Sequence, residues 1–347
     1  MSNQNNTPGV PGIPNTGFFG HPRGLFTLFF TEFWERFSYY GMRAILVLYL
    51  YAEVTKGGLG FDQATAMSIV AIYGSLVYLS GIIGGWIADR LLGTSQTVFY
   101  GGILIMVGHI VLSLPFGVEA FFISMIFIIL GTGLLKPNIS SIVGELYTKD
   151  DQRRDSGFSI FYMGINLGAF SAPFVVEKLR FEFGSFHAGF SAAAVGMFVG
   201  LVVYVITRKK YLGTLGSEVP NPLSGDEKKR YAMSITAALM IAGAVLYALA
   251  TINWLTIDRF ILLVTITAVV MPVIYFVTMY RSSKTTGDEQ SRLLAYIPLF
   301  LASVLFWAIY EQGANLLNIY ALERTNLTLL GQKIAPGVLQ AMPAMFV

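Results

Sequence analysis

The chain has 347 residues, 54% of them hydrophobic and only 12% charged, and its mean hydropathy is +0.63. Soluble domains are about a quarter charged, so the composition excludes a disordered protein and argues against an ordinary soluble enzyme. Cysteine is absent and His21, His109 and His187 are scattered, so no disulfide and no metal cluster is expected; a net charge of +3 points to no nucleic-acid partner.

Residues 1–20 are polar and rich in Pro, Gly and Asn. They predict a disordered tail and lack the basic start and apolar core of a signal peptide. Apolar runs follow near 25–50, 66–88, 97–115, 120–146, 157–177 and 188–207, then 231–252, 260–280 and 293–318, and a last one begins near 335. A helical crossing takes about 20 residues, and the complete runs reach that length. The alternating ten-residue pattern of an outer-membrane barrel is missing. The last run stops at Ala344-Met345-Phe346-Val347, about half a crossing, so the sequence reads as the front part of a longer protein.

Lys and Arg set the orientation of such a chain. With the tail inside, the inner segments carry Arg23, Arg90, Lys149, Arg153, Arg154, Arg208, Lys209, Lys210, Lys228, Lys229, Arg230, Arg281, Lys284 and Arg292. The outer ones carry Lys56, Lys178, Arg180, Arg259, Arg324 and Lys333. Fourteen against six of the 23 basic residues predicts a cytoplasmic N-terminus. The other three, Arg36, Arg43 and Lys136, fall inside spans.

In the first span, TEFWERFSYYGMR brings together Glu32, Glu35, Arg36 and Arg43. Each charge costs roughly 2.5–3.5 kcal/mol at a helix centre on insertion scales. At 100° per residue, positions 32, 36, 39 and 43 share a narrow stripe flanked by Glu35 and Tyr40. That stripe must line a polar cavity. The bland alternative, an ion pair that only holds helices together, fits one acid and one Arg better than two of each with two tyrosines.

The fourth span holds Lys136-Pro137-Asn138 in its middle. Proline frees a backbone carbonyl, which suits a helix lining a cavity; the alternative is a lysine snorkelling to the interface. In the fifth span Tyr162 and Asn166 share a face, as a pocket wall or as an interhelical hydrogen bond. The run FWAIYEQGANLLNIY places Trp307, Glu311, Asn315 and Asn318 on one stripe of a continuous helix. Glu311 needs a cation, and Arg43 is the candidate.

Together, TEFWERFSYYGMR, GGWIADRLLG, LGTGLLKPNISS, FYMGINLGAF and FWAIYEQG resemble the proton-dependent oligopeptide transporter family of the major facilitator superfamily. The resemblance covers about residues 18–345. It implies an all-α polytopic membrane protein with the major facilitator fold: two six-helix bundles with substrate between them, and two extra helices between the bundles. The expected organisation is a tail at 1–20 and a complete N-terminal six-helix bundle at 21–207. A linker with the two extra helices follows at 208–285. The truncated C-terminal bundle starts at 286–347 with the seventh core helix and part of the eighth.

The implied activity is proton-coupled symport of di- and tripeptides into the cell across the cytoplasmic membrane. The proton is the coupling ion and no cofactor is expected. Glu32, Glu35, Arg36 and Glu311 match proton-linked positions. Arg36, Arg43 and Lys136 match the basic pocket for the peptide carboxylate. Tyr39, Tyr40, Tyr78, Asn166 and Trp307 match pocket-lining positions, with Glu311 also at the pocket. Asp89 and Arg90 match the superfamily's cytoplasmic latch between helices two and three.

One departure stands out. The family usually offers Gln-Ser-Leu-Asn-Pro in helix eight, whereas this chain has Gln340-Ala341-Met342-Pro343-Ala344, with Pro343 at the Asn position. The implied mechanism has protonated Glu311 releasing Arg43 for the peptide carboxylate, since Arg itself does not usefully lose its proton. Within the family the alternative substrate is nitrate or another anion; a peptide sensor without transport is a further one. A membrane enzyme using Glu32 and Glu35 as acid and base lacks a nucleophile or metal partner. No ATP-binding Gly-x-x-x-x-Gly-Lys-Ser/Thr loop occurs. The expected partners are peptides, protons and the bilayer, and the expected state is a monomer.

Overall fold

The first charged span forms α1 (Gly24–Tyr51), 28 residues long, about 42 Å at 1.5 Å per residue. The computed structural model of the chain describes residue 10 and residues 12–346 except 253, 255 and 330. After α1 come α2 (Gln63–Ile87), α3 (Thr94–Leu112), α4 (Gly117–Glu145), α5 (Arg154–Glu182) and α6 (Phe186–Tyr211). A second group is α7 (Gly225–Thr251), α8 (Ile257–Tyr280) and α9 (Gly287–Tyr310). The chain ends in α10 (Leu316–Arg324), a small antiparallel hairpin of β1 (Thr328–Leu329) and β2 (Gln332–Lys333), a 3₁₀ turn at Pro336–Ala341, and α11 (Met342–Met345).

Among the described residues, eight helical stretches are long and apolar enough to cross a membrane. α1 is long enough too, but its four charges must be housed by its neighbours. It runs through the middle of α1–α6 and buries most of its length. Two apolar clusters pack around it. Leu25 and Leu28 belong to one, with α3, α4 and α6; Ile45–Leu50 belong to the other, with α2, α4 and α6. Glu32, Glu35 and Arg36 fall between them.

Two close approaches fix this arrangement. Pro137 sits inside α4 and has no N–H for the Gly133 carbonyl. Gly84 of α2 lies directly on that carbonyl: a Cβ there would meet Gly133 O at 1.9 Å. Asn138 Nδ2 ties the same pair, donating to Gly84 O (3.2 Å) and Leu134 O (2.7 Å). Similarly, a Cβ on Gly168 of α5 would meet Phe33 O at 2.4 Å and Arg36 Cβ at 3.1 Å. Small residues therefore let α2 and α5 press against their neighbours beside the charged segment.

Two expectations change. The run 293–318 is not one straight helix: α9 ends at Tyr310, a 3₁₀ turn covers Glu311–Ala314, and Asn315 (φ −115°, ψ −100°) separates it from α10. Asn315 Nδ2 donates to Met67 O of α2 at 3.0 Å, so a tertiary contact stabilises the break. Residues 12–20, expected within a disordered tail, are instead held against the turn between α4 and α5. Arg153 donates to Asn15 O and Gly20 O (both 3.1 Å) and to Asn15 Oδ1 (2.7 Å). His21 Nδ1 meets Tyr147 Oη at 2.9 Å, and burial lowers the His21 pKa. Residues 1–9 and 11 of that tail lie outside the described residues.

Gly84→Ala should force α2 off α4 and cost about 1–3 kcal/mol, as overpacking does. The neighbouring Gly85→Ala meets nothing within 4 Å and should be neutral. Melting temperatures in detergent that fall only for Gly84→Ala are expected; equal values for the two would contradict the close approach.

Candidate functional site

The stripe predicted on α1 opens onto a cavity of about 240 Å³ between α1, α2, α4, α5, α9 and the 336–345 segment. Small-molecule pockets usually hold roughly 300–1,000 Å³, so this one suits a compact ligand. A recess of about 630 Å³ adjoins it between α2 and α9 and shares Arg43, Tyr78, Trp307 and Glu311.

Charge is distributed unevenly around the cavity. Arg36 is 3% exposed and lies between two carboxylates: its Nε is 3.1 Å from Glu32 Oε1 and is hydrogen-bonded to Glu35 Oε2. Arg43 donates through Nη2 to Glu311 Oε2 across the gap from α1 to the turn after α9. Lys136 has neither arrangement. Its Nζ sits 4.5 Å from the centre of the Tyr78 ring, and among the described residues it forms no ion pair. Three cations and three carboxylates thus balance formally, yet Arg36 holds two acids and Lys136 none.

The tyrosines support the cations. The Tyr39 ring lies 5.1 Å from the Arg36 guanidinium and 5.9 Å from that of Arg43, and it stacks on Tyr73. Ring faces attract cations, the more so when desolvated. Several polar atoms are left over: Arg36 Nη2, Glu32 Oε2 and Glu35 Oε1 are buried without hydrogen-bond partners. Such atoms are costly unless something meets them. Arg36, with one N–H unmet, and Lys136, without an ion pair, line the same cavity, an arrangement suited to a carboxylate.

The α9 side completes the wall with Trp307, Tyr310 and Glu311, and the 336–345 segment adds Gln340, Pro343 and Ala344. α5 contributes Tyr162 and Asn166. Asn166 Nδ2 donates to Tyr162 O at 3.1 Å, a bond within its own helix that leaves its carbonyl oxygen for a ligand. Among the described residues no group of three metal-binding side chains occurs.

The sequence model of the POT family matches residues 95–347. An uncharacterised transporter of Bacillus subtilis (strain 168) is 58% identical over all of this chain and 70% of its own length. The chain belongs to the POT family. A di-/tripeptide transporter of Lactococcus lactis subsp. cremoris is 50% identical over 89% of this chain and 63% of its own, so the chain spans less than two thirds of that relative. Among solved structures, a peptide transporter POT in complex with sulfate is 60% identical, with a TM-score of 0.94 over 96% of this chain and 68% of that one. A POT family transporter in complex with 5-aminolevulinic acid is 49% identical, with a TM-score of 0.91 over 96% and 69%. The family and these relatives are transporters rather than enzymes, and the chain is a multi-pass, all-α membrane protein of that fold.

Around this cavity the structure brings together Glu32, Arg36, Tyr39, Tyr40, Arg43, Tyr78, Lys136, Asn166, Trp307 and Glu311. Glu35 is placed differently: it is wholly buried behind Arg36 and does not line the cavity. Asn315 and Asn318 also leave the expected stripe, because the turn after Tyr310 sends Asn318 Nδ2 to Ala44 O (2.8 Å) instead of to the cavity. The Asp89–Arg90 pair meets the start of α7 and the segment before it: Arg90 pairs with Glu227 in the first turn of α7 at 3.2 Å, and Asp89 O accepts from Asn221 N at 3.0 Å, while the Asp89 side chain stays exposed. Tyr310 and Gln340 line the cavity and were not legible as site residues; each is one polar residue in an apolar run, with no charge to mark it.

Glu311 is about one third exposed and Arg43 about one tenth. Their coupling should therefore fall between the ~0–1 kcal/mol of surface pairs and the 3–5 kcal/mol of fully buried ones. A double-mutant cycle with Arg43→Gln and Glu311→Gln, read by thermal stability, should give about 1–3 kcal/mol of coupling. Additive effects would contradict a direct pair.

Proposed function

We propose that this chain carries the core of a proton-coupled importer of di- and tripeptides, working by alternating access with its N-terminus in the cytoplasm. The observation that carries the reading is the charge arrangement: Lys136 without a carboxylate and Arg36 Nη2 without an acceptor, at a cavity whose wall carries two acids, Glu32 and Glu311, with Glu35 behind Arg36. A peptide carboxylate fits between them. Its arrival adds one negative charge to a balanced cluster of low polarity. Taking up a proton on one acid restores the balance, so substrate and proton favour each other.

Glu311 is the acid best placed for that proton, because it spans the gap to Arg43. Protonated Glu311 no longer competes for Arg43, whose guanidinium is then free for the substrate carboxylate. Deprotonation after release lets the pair re-form. Glu32 and Glu35 keep Arg36 charged and oriented, and Glu32, the one on the cavity wall, is the second candidate acid. Asn166, Tyr162 and Trp307 shape the remaining wall. No cofactor enters this scheme; the proton is the coupling ion. Names of relatives as di-/tripeptide transporters favour peptides as the substrate class, and the excess of Lys and Arg in the inner segments favours the stated orientation in the cell membrane.

The direct test is uptake of a labelled dipeptide by the complete transporter in proteoliposomes. Accumulation driven by an inward proton gradient is expected; gradient-driven nitrate uptake without dipeptide uptake would support the anion-carrier reading instead, and binding without uptake the sensor reading.

Lys136→Ala should weaken a free dipeptide more than its C-terminally amidated analogue. A hydrogen bond to a charged group is worth about 1.5–3 kcal/mol, or roughly ten- to hundredfold in affinity. Equal losses for both ligands would show that Lys136 does not meet the carboxylate.

A further inference from the structure

Among the described residues, α1–α6 and the segment after α9 are tied by polar contacts near the C-terminal end of α1, the outer end in the proposed orientation. Arg43 with Glu311 is one. The Ala44 carbonyl accepts from both Asn318 Nδ2 (2.8 Å) and Gln340 Nε2 (3.3 Å). A third contact has no part in the site just described. Glu177, near the end of α5 and 1% exposed, accepts the backbone N–H of Gly337 through Oε1 at 2.9 Å. Its other oxygen accepts from Arg180 Nε at 2.5 Å, and the Arg180 guanidinium is packed 4.5 Å from the Phe181 ring and 5.1 Å from that of Phe186.

This geometry is specific on both sides. Arg180 and its two rings hold the carboxylate in one orientation. Gly337 leaves just enough room: a Cβ there would meet Glu177 Oε1 at 2.5 Å and Ala44 O at 2.8 Å. The first turn of the 336–341 segment, which continues to the cavity wall at Gln340 and Pro343, is thus gripped by a charged side chain of α5 through its main chain. A carboxylate–amide bond of this kind depends on position and not on a matching side chain, so it forms only when the two segments close together.

We propose that Glu177 is an outer-gate residue: it fastens the closed outer side by capturing the Gly337 amide, and releasing that bond is part of opening the site outward. The proposal rests on the transport reading of the cavity, but its readout does not require transport. It sets the balance of conformations without touching substrate, so Glu177 acts as a positioning residue.

The test uses the complete transporter in right-side-out vesicles; residues 1–347 contain no cysteine, and any cysteine outside them is first replaced by Ser. Ile319 of α10 is 0% exposed and packed against α1–α6 in this closed arrangement, so Ile319→Cys reports outer opening to a membrane-impermeant maleimide. Glu177→Leu should speed labelling by about tenfold or more, since it removes a charge-assisted bond. Glu177→Gln keeps an acceptor for Gly337 N–H but loses the charge, and should fall between. Gly337→Ala should speed labelling too, and combining it with Glu177→Leu should give less than the product of the two effects. Ala193→Cys, buried in α6 inside the first six helices, should stay unlabelled in every variant. Unchanged labelling of Ile319→Cys in Glu177→Leu would overturn the proposal. So would equal acceleration at both cysteines, which would mean a loosened fold in place of an opened gate.

Discussion

The arrangement follows from the cost of charge inside a bilayer. Four ionised groups on α1 could not remain in a span unless each found a partner or a polar cavity. Glu32 and Glu35 meet that demand by enclosing Arg36, one by its i,i+4 spacing and the other as its direct neighbour. Arg43, about two turns further along, has no acid left on its own helix and reaches Glu311 after α9. Packing must then serve this arrangement. Glycines at 84 and 168 bring α2 and α5 close, and the two apolar clusters leave the charged segment between them. One span thus both requires a cavity and selects which helix must come to close it.

In the proposed function, Lys136 is what turns a structural ion cluster into a binding site. In a cluster with three acids, a cation without an ion pair would normally shift or pair. Here the Tyr78 ring only partly compensates it, and the surplus attraction is available to an incoming anion. The Arg43–Glu311 pair stores a related choice, since it joins the two parts of the molecule while Glu311 is ionised. In the proposed mechanism, a proton on that acid weakens the joint and frees a guanidinium together. In that scheme substrate capture and conformational release draw on the same few charges, while the contacts of Ala44 and Glu177 join the same two parts outside the cavity.

Much of this was legible in the sequence because charge in an apolar run is a strong signal. Positions 32, 36, 39 and 43 fall on one stripe at 100° per residue, and their meeting place in the structure is the cavity wall. The need of Glu311 for a cation, set against the surplus Arg43, named the pair. What stayed hidden depends on neighbours. The break at Glu311–Ala314 has only Gly313 as a local cue, and it is stabilised by Asn315 binding a carbonyl on α2. Glu35 sits 60° off the stripe, and sequence cannot say whether the flank faces the cavity or a helix. The order of residues 12–20 comes from Arg153, more than 130 residues away, collecting their carbonyls. Glu177 was an acid near a helix end with Arg180 one turn on, a pattern common on surfaces; only the fold brings Gly337 to it.

The central claim is that a substrate carboxylate and a proton enter this cluster together to keep its charge balanced. Proton uptake on binding measures that directly, by calorimetry of the complete transporter in buffers of different ionisation enthalpy. If the cluster is balanced as described, a free dipeptide should draw in about one proton per molecule bound at neutral pH, and its C-terminally amidated analogue should draw in none. The same proton count for both ligands, or no uptake with either, would contradict it.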